Sequence, residues 1–159
     1  MGTAECRSYL DLLKELSGCL DRLSALAQEK AETVRQDDLT ALGDVLKQEQ
    51  AMTLTLRGLD QRRMKLLGSL GLEDVPLAEL HTHVPPELED EARQAAENAR
   101  RSYREYRSYA DMARNTLELN LHQIEKVIAA AGVDTSGLGA GYTPPGVEPP
   151  QNMKTDFRA

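Results

Sequence analysis

Tryptophan is absent from this 159-residue chain, phenylalanine occurs once, and aromatic residues make up only 4% of it. Sandwiches, barrels and enclosed catalytic clefts draw on aromatic and β-branched side chains. A palette of Leu, Ala, Glu, Gln and Arg instead favours long helices. Cysteine is nearly absent too: Cys6 and Cys19 are the only two. Their spacing sets them on different sides of a helix, so they read as free thiols of a reducing cytosol. Long apolar runs are missing, and none approaches the roughly 20 residues a membrane span requires. The opening MGTAE leads into a mixed polar pattern without the apolar core of a signal peptide, so a cytoplasmic chain is expected. Positive charge is outnumbered, 19 Lys and Arg against 26 Asp and Glu, for a net charge of −7. Nucleic acid and anionic membranes would repel such a chain, and neither is expected as a partner.

Catalytic chemistry is missing as well. The glycines after Gly132 precede no helix, so there is no phosphate-cradling loop. Of the three histidines, His81 and His83 lie close together, but no Cys or carboxylate set completes a metal site. No Ser, His and Asp spacing suggests a triad. Neither an enzyme nor a cofactor is expected.

What the chain has is heptads. Tyr9, Leu13, Leu16, Leu20, Leu23, Ala27, Lys30 and Val34 alternate spacings of four and three, interrupted in chemistry only by Lys30. The pattern predicts a first helix over about 3–36. QDDLTAL then offers Asp37 or Asp38 as the cap of a second helix over about 38–70. That helix carries Val45, Glu49, Met52, Leu56, Leu59, Arg63, Leu66 and Leu70 at the same period, which predicts left-handed coiled-coil packing. Glu49 and Arg63 read as polar layers that fix register, or as side chains reaching out from the seam edge. Gly68 and Gly71 bracket the exit. VPLAELHTHVPPELEDE leaves room for one short helical turn before Pro86 opens a third helix over about 86–131, with acidic residues at its positive end.

The third helix has a continuous apolar stripe, Ala- and Tyr-rich at first and then Leu- and Ile-rich through Leu117, Leu121, Ile124 and Ile128. A hairpin of the first two helices measures about 50 Å, whereas the third would run about 20 Å longer and pass the hairpin near Leu119. The apolar second half of the stripe is then short of partners within the chain, which suits a surface kept for another molecule. A second row, Tyr109, Met112, Thr116, Leu119, Gln123 and Val127, follows one narrow face beside it. The fold expected is an all-α, elongated three-helix antiparallel coiled-coil bundle forming one domain over 1–131. A flexible Gly/Pro-rich tail over 132–159 follows, ending MKTDFRA.

ARRSYREYRSYADMAR has the basic and aromatic residues of an RNA-binding patch. Helical spacing puts Tyr103 and Tyr106 on the packing stripe, however, and pairs Glu97 with Arg101, Arg101 with Glu105 and Arg107 with Asp111. Arg100, Arg104 and Arg114 are left over as candidate contacts to an acidic protein.

The leucine-seamed stretch from YLDLLKEL to LGSLGL, with its block LAQEKAETVRQDDLTALGDVLKQEQ, resembles the FlgN family of flagellar export chaperones. ARNTLELNLHQIEKVIAAAG and the ending TDFRA resemble it too. The resemblance implies a cytoplasmic chaperone that binds hook-associated (hook–filament junction) proteins and delivers them to the flagellar type III export apparatus. It also implies client binding by the C-terminal part, here Asn115 to Ala131. Together with the two rows, the expected partner-binding residues are Tyr109, Met112, Asn115, Leu117, Leu119, Leu121, Ile124, Val127 and Ile128. The competing reading is a homo-oligomeric coiled-coil scaffold or adaptor without an export client, and a homodimer is left open in either case.

Overall fold

The computed structural model describes residues 2–132. The expected tail, apart from Gly132, lies outside the described residues. Those residues are all-α: α1 (Thr3–Arg35), α2 (Leu39–Leu70), two 3-10 segments (Leu77–His83 and Pro86–Leu88), α3 (Glu89–Leu119) and α4 (Leu121–Ala131). They fall into two compact units. One holds the chain up to Leu20 with Thr55–Arg104, and the other holds Asp21–Leu54 with the chain from Glu105 onward.

α1 buries more than the one predicted seam. Besides Tyr9, Leu13, Leu16, Leu20, Leu23, Ala27, Lys30 and Val34, it buries Leu10, Leu12, Cys19, Leu26 and Ala31, so its apolar face is wider than a two-position stripe. Its end is a Schellman turn. The N–H of Asp38 donates to Thr33 O at 2.9 Å and that of Asp37 to Val34 O at 3.2 Å, with Asp37 in the left-handed region at φ 53°. Asp38 serves the next helix at once, its Oδ1 accepting from the Ala41 N–H at 3.1 Å. One aspartate thus closes α1 and the other opens α2. α2 ends the same way: Leu72 donates to Leu67 O at 3.0 Å and Gly71 to Gly68 O at 3.3 Å, with Gly71 at φ 69°.

In the first unit the connection after α2 is more structured than the single turn expected. Leu77 and Leu80 of the first 3-10 segment are buried and share with Tyr9, Arg63, Leu67 and Leu72 a cavity of about 10 Å³. Pro86 opens the second 3-10 turn, which passes directly into α3. Arg63 is buried, donating from Nε (3.1 Å) and Nη2 (2.9 Å) to Asp60 Oδ1. Of the two readings for this seam arginine, the buried polar layer holds and the outward-reaching side chain does not. At the surface Lys14 Nζ meets Glu91 Oε1 at 2.8 Å, joining α1 to α3.

The second unit contains the α1–α2 turn. Lys30 and Glu49 face each other across the hairpin with side-chain exposures of 0% and 3%, Nζ lying 2.8 Å and 2.6 Å from the two carboxylate oxygens. Two of the three charged seam positions are therefore one ion pair. Two apolar clusters flank it. Ala27, Ala31 and Ala113 pack with Tyr109, and Val34, Leu42 and Leu46 pack with Leu117, Val127 and Ile128.

Candidate interaction surface

The apolar C-terminal stretch does not run past the hairpin as one helix. Near Leu119, where the third helix was expected to outrun its partners, it breaks. Asn120 leaves the helical region at φ −122°, ψ 26°, its N–H donates to Leu117 O at 3.0 Å, and its Nδ2 donates to Thr116 O at 3.1 Å. The side chain thus satisfies a carbonyl at the end of α3 that would otherwise lack a partner. Leu121–Ala131 then form a separate helix, α4, closed by Gly132 in the left-handed region, whose N–H donates to Ile128 O.

This break corrects the expected exposure of the stripe. Leu117 (0%), Val127 (8%) and Ile128 (1%) are core residues covered by Val34, Leu42 and Leu46, with Leu121 and Ala131 partly buried against them. Burial of aliphatic surface drives the change: a straight helix would leave these side chains in water, and the break gives them the end of the hairpin to pack on. Ile124 lies on α4, and its side chain is outside what the structure describes, as is that of His122.

The second row stays open in its α3 part. Leu119 is 87% exposed and Met112 36%, Asn115 is exposed between them, and Tyr109 is half-buried. Thr116, on the same row, donates its hydroxyl to Met112 O at 3.1 Å. Beside the row Arg114 pairs with Glu118 at 3.2 Å. Of the nine candidates, then, Tyr109, Met112, Asn115 and Leu119 share an accessible helix face, while Leu117, Val127 and Ile128 belong to the core through which α4 packs on the hairpin.

The arginines also differ from expectation. Arg100 and Arg104 both reach Glu97, each at 3.6 Å, so with Arg114 the three set aside as unpaired are the ones that form ion pairs. The stem of Arg100 lies along the packing face, its side chain only 15% exposed, which brings the guanidinium up to Glu97 rather than leaving that acid to Arg101.

Between α4 and the start of α2 lies an open groove of about 370 Å³, with Leu39, Gly43, Val127 and Ala131 as its apolar lining. A Cβ built on Gly43 would meet Val127 Cγ1 at 3.6 Å, an ordinary contact, so the glycine is no steric necessity here. The pattern that could have revealed this groove, Leu39–Gly43 against Val127–Ala131, spans two helices and needs their register.

Among the described residues no group of three or more His, Cys, Asp or Glu side chains could hold a metal ion. His83 Nδ1 lies 2.8 Å from Thr82 Oγ1 and 3.2 Å from Glu79 O. Burial pushes the Cys19 thiol up to about 11, so it stays protonated at neutral pH and is a packing group, not a nucleophile. Within the described residues no helix is long and apolar enough to cross a membrane.

No curated protein and no solved structure matches the chain significantly. Residues 6–150 match the profile of the family described as FlgN protein. The match covers nearly the whole chain, and the chain belongs to the FlgN family, whose general role is that of a flagellar export chaperone.

Proposed function

We propose that the chain is a cytoplasmic, non-enzymatic chaperone that binds the C-terminal helical segments of hook-associated proteins. It keeps them from assembling early and hands them to the export apparatus. The observation that carries the binding site is the exposure of Leu119 and Met112 on α3, one helix face with Asn115 and Tyr109. An amphipathic client helix laid along that face would cover both side chains. Burying an aliphatic side chain fully contributes roughly 1.5–3 kcal/mol before ordering costs, so a few such contacts support micromolar binding. Leu117, Val127 and Ile128 serve this surface by seating α4, and Leu121 and Ile124, on the first turns of α4, belong to the proposed contact. No cofactor is needed for this role.

Titration calorimetry with C-terminal segments of hook-associated proteins from the same organism tests the reading. The full chain should bind, and Leu119→Asp should weaken binding at least about tenfold, the equivalent of 1.4 kcal/mol. Normal binding by Leu119→Asp would remove this face from the site. If no segment binds and light scattering shows a tight dimer that Leu119→Asp dissolves, the face belongs to a homo-oligomeric scaffold instead.

A further inference from the structure

We infer that the groove between the start of α2 and the end of α4 is the seat of the chain's own residues 133–142. This goes beyond client binding and does not depend on it. Its volume of about 370 Å³ is room for roughly a dozen waters at ~30 Å³ each. Small and aliphatic side chains line the groove together with Thr40, Asp44, Lys47 and Lys126. Neither lysine makes an ion pair or side-chain hydrogen bond among the described residues. An apolar lining with two ammonium groups and one carboxylate fits a short peptide with apolar anchors and negative charge.

The chain supplies such a peptide at the groove's edge. Ala130 and Ala131, the last residues of α4, are part of the groove wall, and Gly132 turns the backbone there at φ 69°. The next ten residues, VDTSGLGAGY, contain Leu138 and Tyr142 as large apolar side chains, Asp134 as the one charge, and no basic residue. At about 3.5 Å per residue they reach roughly 35 Å, ample to double back over a groove that begins at Ala131. Their glycines permit the close backbone approach a shallow groove demands. Covalent attachment gives them an effective concentration in the millimolar range, which favours them over a second copy or a free acidic peptide.

The test uses the full chain with Ala130→Cys, which puts a thiol on the groove wall. The native Cys6 and Cys19 are buried and act as slow internal controls in maleimide labelling. Adding Leu138→Asp with Tyr142→Asp should speed labelling at position 130 by about fivefold or more, independently of protein concentration. These changes lie outside the helices described, and circular dichroism checks that helix content is kept. Lys47→Glu with Lys126→Glu, leaving residues 133–142 intact, should speed labelling likewise. Equal rates with and without the changes at 138 and 142 would overturn the proposal. So would protection that rises with protein concentration, which would seat a second copy in the groove.

Discussion

A lysine with no exposed side-chain area is tolerable only if its charge is met, and Lys30 meets Glu49 across the hairpin. Burial pushes the Glu49 carboxyl above the usual carboxylate range, while the charge and hydrogen bonds of Lys30 pull it back. Lys30→Met removes both opposing effects and leaves desolvation alone, so the folded-state value rises further above the unfolded one. A carboxyl shifted upward in this way leaves stability intact below the unfolded value, about 4.3, and takes it away as pH rises through the folded value. The deficit of Lys30→Met should therefore grow from pH 4 to pH 7, reaching about 3–5 kcal/mol near neutrality. Urea unfolding at a series of pH values measures it, and adding Glu49→Met should flatten the pH dependence and recover much of the loss. A deficit constant with pH, or a double variant no better than the single, would show that Glu49 is not held as an unpaired carboxylate. Lys30, Glu49 and Arg63 stood out in the sequence as charges on leucine seams. Their partners did not. Lys30 finds Glu49 only once the hairpin register is set, and Arg63 turns to Asp60, a neighbour off the predicted seam.

At the level of elements, helix existence was legible because the 3.5-residue period continues for turn after turn, and the α1 and α2 ends were legible because QDD and GSLG carry capping chemistry. The break at Asn120 was not. The apolar stripe continues in phase across it, and Asn is only a mild helix breaker, so local signals favour a single helix. The deciding term is the burial of Val127 and Ile128 on Val34, Leu42 and Leu46, which is tertiary. The glycines show how position alone reverses the sign of one substitution. Gly18 and Gly58 lie inside α1 and α2, and an added Cβ would meet nothing within 4 Å at either site. Each restricts the backbone less than alanine while filling no space. Gly18→Ala and Gly58→Ala should each stabilise the fold by about 0.5–1 kcal/mol. Gly71→Ala has as much room but requires φ near 69°, and should destabilise it by about 1 kcal/mol. Chemical denaturation of the three variants suffices, and a destabilised Gly58→Ala would reveal a function for that glycine beyond packing.

For the whole molecule, the sequence reading expected the Leu- and Ile-rich stripe to be open, whereas Leu117, Val127 and Ile128 are buried and Met112 and Leu119 are exposed, since which of two adjacent rows is open depends on where α4 settles. That division separates folding from binding. Ile128 is 1% exposed within the cluster that joins α4 to the hairpin, so Ile128→Asp would bury a carboxylate with no partner. It should cost about 3 kcal/mol or more of stability, and lose client binding through loss of the support under the surface. Leu119 is 87% exposed, so Leu119→Asp should leave the urea midpoint within about 0.5 kcal/mol of the parent while weakening client binding. Denaturation and calorimetry on the same two proteins read both quantities. If Ile128→Asp stays as stable as the parent and loses only binding, α4 does not rest on the hairpin in solution and the stripe is open to the client. If Leu119→Asp unfolds, its side chain is covered by something in the free protein, and the exposed face of α3 cannot be the site where a client first lands.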